Sequence, residues 1–214
     1  RKIGCAPAEI FDFSSNVNPL GPPSGLNAFL AERLAGITAL PEVDAAGIRR
    51  AFSRRYAVDP DRVLAGNGTT QLIYSLPQAL ESRKALVLAP AYADYADACA
   101  LHDTPCSYLI ADAEDAFCYS RRGILEAIEE AGADLVFICN PNNPTGVLLP
   151  QTDLIDICAA APQVNFVIDE SYLSFVPAGE SRSLMHQTAA ENIVVLNSMS
   201  KIFRVPGLRI GFAV

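Results

Sequence analysis

Only three lysines, Lys2, Lys84 and Lys201, occur in the 214-residue sequence, and one of them stands where an amine could do chemistry. Lys2 is terminal, and Lys84 follows Glu81-Ser82-Arg83 in a polar turn, where a solvated charge is the natural reading. Lys201 sits between Ser198-Met199-Ser200 and Ile202-Phe203, in apolar company. A semi-buried lysine often pairs with a carboxylate, but desolvation also readies an amine to attack a carbonyl carbon. Other chemically capable residues collect in short segments that each follow an apolar run. Gly66-Asn67-Gly68-Thr69-Thr70-Gln71 combines glycines with hydroxyls before a helical pattern, which makes an anion cradle. Tyr92, in Pro90-Ala91-Tyr92, could stack on a flat ligand. Asn140-Pro141-Asn142-Asn143-Pro144-Thr145-Gly146 is a rigid polar loop, and Asp169-Glu170-Ser171-Tyr172 puts two carboxylates at the end of an apolar strand.

Each of these has a plain structural alternative: a capped turn, simple packing, an ordinary loop. The carboxylate pair also resembles the strand end of a P-loop ATPase, but that loop needs a lysine followed by Ser or Thr. Here the lysines precede Ile3, Ala85 and Ile202, so the ATPase reading fails. The glycine turn is neither a full G-x-G-x-x-G nor a P-loop. A lysine, an anion cradle, an aromatic plate, a buried carboxylate, a tyrosine and an arginine together are what pyridoxal phosphate requires. The amine takes the aldehyde, the carboxylate keeps the pyridine nitrogen protonated, and the remaining donors hold the ring oxygen and the phosphate.

Composition narrows the class. Half the residues are hydrophobic, which excludes disorder and allows a sizeable core. A net charge of −8 disfavours nucleic acid and anionic membrane surfaces as partners. No apolar run approaches the roughly 18 residues of a membrane span, and the first residues lead into no signal-like segment. The expectation is a soluble cytoplasmic protein. Six cysteines (Cys5, Cys99, Cys106, Cys118, Cys139, Cys158) show no C-x-x-C spacing and have only His102 and His186 for company. They read as reduced, mostly buried thiols, with no metal site.

The elements that must position these residues follow from periodicity. Leu26, Phe29, Leu30, Leu34 and Ile37 recur at helical spacing, and Ile48, Phe52 and Tyr56 mark a second helix. Apolar runs at 63–65, 85–89, 107–110, 135–139, 164–168 and 193–196 then alternate with helices from about Thr69 and Tyr92 and around 123–131, 152–161 and 183–190. Leu208 to Val214 reads as a last strand. This is an α/β pattern with a mostly parallel sheet covered on both faces, a three-layer sandwich. Ligands of such sheets sit at the carboxyl ends of the strands, where the reactive segments stand.

The run SMSKIFRVPGLRIGF, with VIDESY, NPNNPTG, PAYADY and GNGTTQLIY before it in this order, resembles the fold-type I pyridoxal-phosphate enzymes, the aspartate aminotransferase superfamily. The opening FDFSSNVNPLGPP is similar to the branch holding histidinol-phosphate aminotransferase and threonine-phosphate decarboxylase, and closer to the decarboxylase. The resemblance implies that Lys201 takes the cofactor aldehyde and serves as general acid and base, and that Asp169 pairs with the pyridinium nitrogen. It implies that Tyr172 and Asn143 hold the phenolic oxygen, and that Asn67, Gly68, Thr69, Ser198, Ser200 and Arg209 grip the phosphate. Tyr92 stacks on the ring and Asn16 lies near the substrate. Cys139, Met199 and His186 take no role from it. It also implies an antiparallel final strand, a homodimer, and a small-molecule amino-acid or amine phosphate as substrate. The activity implied is decarboxylation of an O-phosphorylated amino acid such as threonine phosphate, with amino transfer of the histidinol-phosphate type as the alternative. Residues 1–40 read as an N-terminal segment and substrate-side loop, and 41–214 as the cofactor-binding large domain of a longer enzyme whose small C-terminal domain is absent. One departure stands out: relatives carry an aromatic-Pro pair whose tyrosine reaches the partner's cofactor phosphate, whereas this chain has Leu40-Pro41.

Overall fold

A computed structural model describes residues 15–187 and 190–214, together with 4, 9 and 10. Lys2, Cys5, residues 11–14 of the opening motif and residues 188–189 of the last helical pattern lie outside the described residues. In chain order the elements are α1 (Leu26–Arg33), α2 (Ala46–Tyr56), β1 (Leu64–Asn67), α3 (Gly68–Ala79), β2 (Ala85–Ala89), α4 (Asp94–Leu101) and β3 (Cys106–Ile110). There follow α5 (Arg121–Ala131), β4 (Leu135–Cys139), α6 (Gln151–Ala160), β5 (Asn165–Asp169), β6 (Ile193–Ser198), the one-turn α7 (Met199–Ile202) and β7 (Ile210–Ala213).

The seven strands form one sheet in the order β1-β7-β6-β5-β4-β2-β3. Every neighbouring pair is parallel except those of β7, which runs antiparallel to both β1 and β6. Alternation along the central strands divides the core in two. Val136, Ile138, Phe166 and Ile168 face α2, α5 and α6, joining Phe52, Ile124, Leu154 and Ile157. Leu135, Phe137, Cys139 and Val167 face α3 and α4, joining Leu72, Ile73, Tyr95 and Cys99. Leu154 and Ile157 are wholly buried, and each such side chain contributes roughly 1.5–3 kcal/mol of apolar burial. Sheet and helix layers therefore seal each other, as expected of a sheet whose middle strands are apolar on both faces.

Four expectations require correction. The apolar stripe on α1 is not sealed by the described residues: Leu26 and Leu30 are half-buried, none is fully buried, and the turn that continues it through Thr38 is exposed. Periodicity predicted the helix but not its neighbour. Among the described residues, the pattern at 183–190 yields a 3-10 turn, Leu184–His186, rather than an α-helix, because Leu184 and Met185 are adjacent and both turn into the core. The last strand begins at Ile210, since a 3-10 turn over Pro206–Leu208 occupies the residues before it. The apolar run at Cys106–Ile110 is not a middle strand but the sheet's edge, and Tyr108 and Ile110 are exposed there.

Candidate cofactor site

The carboxyl ends of β1, β2, β4, β5 and β6 lie along one rim of the sheet, and β7, running the other way, begins at that rim. A cleft of about 570 Å³ opens there. Of the residues singled out above, it brings together Asn16, Gly68, Thr69, Tyr92, Asn143, Asp169, Tyr172, Ser198, Ser200, Lys201 and Arg209. Asn67 is the exception: it does not line the cleft. Its exposed side chain points elsewhere, and it contributes backbone instead, accepting from Arg209 Nη2 through its carbonyl at 3.4 Å. Asn67 is the last residue of β1, whereas Gly68 and Thr69, which reach the cleft, already belong to the first turn of α3.

The anion end is built from three directions. Gly68 opens α3 with φ +73°, donates its N–H to Arg209 O at 2.8 Å, and has no room for a Cβ, which would collide with the Arg209 guanidinium. Arg209 itself is left-handed at φ 50°, caps the 3-10 turn before β7, and has its guanidinium on the carbonyls of Pro206 and Asn67. From β6 and α7 come Ser198 and Ser200, both buried, and Ser200 Oγ has no hydrogen-bond partner. A buried hydroxyl without a partner is uncommon. Here it lies in a cleft with a cation and a helix start, the setting in which a phosphate oxygen would accept from it. A glycine that leaves space under an arginine and an orphaned serine hydroxyl fit the phosphate of the cofactor the sequence implied.

At the opposite end Asp169 closes β5, buried and facing the α3–α4 layer. Its Oδ1 accepts from Ser171 N at 2.9 Å and its Oδ2 from Tyr95 Oη at 2.8 Å. Burial first, then the Asp169 charge, holds the Tyr95 phenol well above its ordinary range, so Tyr95 stays a neutral donor. Tyr95 also stacks on Phe137 with centroids 5.1 Å apart and meets Tyr92 edge-on at 5.8 Å. It was not among the residues singled out from the sequence. The available signal was its place one helical turn beyond Tyr92 in PAYADY, in phase with buried Ala98 and Cys99. Thr70, which lines the cleft along with Tyr92, was likewise missed. Burial and the Asp94 hydrogen bond push the Tyr92 phenol up to about 12.

Glu170 does not join Asp169. Adjacent strand-end residues point to opposite faces, and Glu170 turns into the other core layer, accepting from Ser183 Oγ at 2.5 Å and Leu184 N at 2.8 Å. The carboxylate pair seen in the sequence is two separate structural devices.

The polar loop after β4 is pinned by its first and third residues. Asn140 exchanges hydrogen bonds with Leu149 O and N at 3.2 and 2.7 Å, and Asn142 Nδ2 donates to Pro90 O and Thr145 Oγ1, both at 2.9 Å. That leaves Asn143 to face the cleft, where its Oδ1 accepts from Asn16 Nδ2 at 3.2 Å. Asn16 and Tyr172 line the same cleft, and burial raises the Tyr172 phenol above its ordinary value. The N-terminal segment is held against α7: Asn18 N donates to Lys201 O and Asn18 Nδ2 to Ile202 O, each at 3.0 Å. The Lys201 ammonium group lies 5.9 Å from the centre of the Tyr172 ring. Cys139 also lines the cleft; burial and then the Asp169 charge push its thiol up to about 12, so it is a neutral wall.

The sequence matches the aminotransferase class I and II family over residues 8–214. It is 35% identical over 214 residues to the adenosylcobalamin biosynthesis bifunctional protein CobDQ of Leptospira interrogans, spanning 99% of this chain and 24% of that protein. It is 33% identical to the threonine-phosphate decarboxylase of Salmonella typhimurium, spanning 99% of this chain and 58% of the relative. The fold superposes on histidinol-phosphate aminotransferase from Clostridium acetobutylicum with a TM-score of 0.82 at 26% identity, covering 95% of this chain and 60% of the other. The chain thus spans little more than half the length of these single-function relatives.

Proposed function

The chain belongs to the aminotransferase class I and II family, and from that membership we propose that its cleft binds pyridoxal 5'-phosphate and is the cofactor half of a decarboxylase acting on an O-phosphorylated amino acid. The observation that carries the cofactor is the orphaned Ser200 hydroxyl beside Arg209 and the Gly68 cradle. Bound, pyridoxal phosphate supplies a protonated ring that accepts the electron pair of whichever bond to the substrate α-carbon is broken.

The residues divide that work. Gly68, Thr69, Ser198, Ser200 and Arg209 hold the phosphate, while Asn67 shapes the turn beneath them. Lys201 is the amine that would hold the cofactor's aldehyde and would move a proton at the substrate α-carbon. Asp169, anchored by Ser171 N and Tyr95, keeps the ring nitrogen protonated. Tyr172 and Asn143 hold the phenolic oxygen, Tyr92 covers one face of the ring, and Asn16 faces the substrate. Residues 1–40 form the substrate-side segment and 41–214 the cofactor domain, and the intact enzyme is a homodimer with a small-molecule substrate. The decarboxylase reading is favoured over amino transfer by the opening FDFSSNVNPLGPP; identity adds little, at 33% to a threonine-phosphate decarboxylase and 28–32% to histidinol-phosphate aminotransferases.

The test adds pyridoxal phosphate, reduces with borohydride, and maps the adduct by mass spectrometry. Stoichiometric label on Lys201 alone supports the site; label spread over Lys2 and Lys84, or none, overturns it. With the full-length enzyme, carbon dioxide released from threonine phosphate supports the decarboxylase. Keto product formed only with an amino acceptor makes it an aminotransferase.

A further inference from the structure

Another cavity, of about 170 Å³, lies on the opposite face of the sheet from the cofactor cleft, and two buried polar side chains meet in it. Asp169 of β5 pairs with Leu196 of β6, and the bond from Glu170 N to Leu196 O at 2.9 Å continues that register. Glu170 and Asn197, each one residue further along, therefore stand side by side, and alternation turns both away from the cofactor. They are 2% and 5% exposed. Glu170 Oε1 accepts from Leu184 N at 2.8 Å and Oε2 from Ser183 Oγ at 2.5 Å, which leaves about half of the carboxylate's roughly four acceptor positions open. Among the described residues Glu170 has no ion-pair partner, and the Asn197 carboxamide has no hydrogen-bond partner. The guanidinium of Arg55, which also lines the cavity, is held by both oxygens of Glu180 at 2.5 and 3.1 Å. Arg55, Glu180 and His186 are exposed and form the mouth, while Tyr56, Leu173 and Met185 supply apolar walls.

We propose that this cavity binds a small guanidinium compound, whose N–H groups donate to the Glu170 carboxylate and to the Asn197 carboxamide oxygen. A buried carboxylate is costly without a countercharge, and a buried carboxamide without a partner is uncommon, so a cation rich in donors answers both. An anion would meet the Glu170 charge. A guanidinium is preferred to an ammonium because it is more weakly hydrated and so costs less to strip of water, and because its plane lies well against an aromatic ring. The Tyr56 ring already takes one guanidinium, that of Arg55, whose central carbon lies 4.9 Å from the ring centre. At roughly 30 Å³ for each water, 170 Å³ is room for about five, or for a ligand of about five non-hydrogen atoms, the size of methylguanidinium. Glu170 faces Tyr56 and Arg55 from α2 and Ser183, Glu180 and His186 from the turns after β5, with Asp169 beside it in the chain. Burial pushes the Glu170 carboxyl up to about 7, so the charge that the ligand needs is complete only above neutrality.

The test titrates the native protein with methylguanidinium chloride by isothermal titration calorimetry at pH 8 and pH 6, at constant ionic strength. The expected result is saturable one-to-one binding at pH 8 that is about tenfold weaker at pH 6, since the ionised fraction of a group titrating near 7 changes by that factor. Tetramethylammonium, with the same charge and atom count but no N–H donor, should not bind. Glu170→Gln should abolish binding and Asn197→Ala should weaken it severalfold, with thermal unfolding showing that each variant is folded. His186→Gln should keep the dependence on pH, which assigns that dependence to Glu170 rather than to the mouth. No saturable binding at pH 8, equal binding of tetramethylammonium, binding retained by Glu170→Gln, or loss of the pH dependence in His186→Gln overturns the proposal. These readouts are independent of cofactor binding.

Discussion

Glu170→Gln should make the protein more stable at alkaline pH and leave it unchanged at acid pH. Glu170 is 2% exposed, and its carboxyl is pushed up to about 7 from an ordinary 4.5. Burial is the main cause; the hydrogen bonds from Ser183 and Leu184 oppose it, and the Asp169 charge adds to it. Below pH 4.5 the folded and unfolded chains are both protonated at this position. Between 4.5 and 7 the unfolded chain releases the proton and the folded one keeps it, so the unfolded state binds fewer protons and stability falls as pH rises. Above 7 both are ionised and the full cost is present, about 3 kcal/mol at 1.36 kcal/mol for each pH unit. Glutamine removes the charge, keeps an oxygen for Leu184 N and offers an amide donor to Ser183 Oγ. At pH 8.5 the variant should gain as much as about 3 kcal/mol, or about 6–12 °C in melting temperature for a chain of this size. Thermal unfolding followed by circular dichroism at pH 5, 6, 7 and 8.5 reads the difference between the two proteins, in which most other titrations cancel. A variant less stable at pH 8.5, or a difference that does not grow from pH 5 to 8.5, refutes the reasoning: Glu170 would then be a well-solvated anchor.

Two further substitutions probe the cleft. Gly68→Ala puts a methyl group into the Arg209 guanidinium at φ +73°, so it should cost about 1–2 kcal/mol of stability and weaken pyridoxal phosphate binding by roughly tenfold or more, read by absorbance titration. Tyr95→Phe strips the hydrogen bond from buried Asp169 Oδ2 and should destabilise the fold by about 1.5–3 kcal/mol in urea unfolding; no change would mean that water replaces the hydroxyl.

Much of this was legible in the sequence because apolar strands and polar strand ends are local signals. β2, β4 and β5 fall almost where their apolar runs stand, and ten of the twelve residues named for the site face one cleft along with Lys201, leaving only Asn67 outside. What was missed depends on neighbours in space. Nothing local tells that Asp169 and Glu170 part company until alternation is applied to the strand that carries them. Tyr95 reads as core by period, and its hydroxyl becomes informative only once β5 ends opposite it. The turn that keeps Asn67 out, and the exposed face of α1, are likewise set by what packs alongside rather than by residue type.

The reversal of β7 is what completes the cleft. Five strands run parallel toward the rim and deliver the ends that carry Gly68, Tyr92, Asn143, Asp169 and Ser198. A parallel β7 would have started at the far edge, and its four residues span roughly 13 Å at about 3.3 Å each. Arg209, which immediately precedes it, would then lie at least that far from Ser200. Beyond a screening length of about 8–10 Å a solvent-exposed cation does little for an anion. Running antiparallel, β7 begins where β1 and β6 end: Ile210 pairs with Asn67 and Gly211 with Ser198. The same register presses Gly211 so closely on the backbone of Thr69 that a side chain there would collide with it. The cation, the helix start and the serine hydroxyls are thus brought together by two strand pairings rather than by any loop, and a substitution at Gly211 that loosens those pairings would separate them.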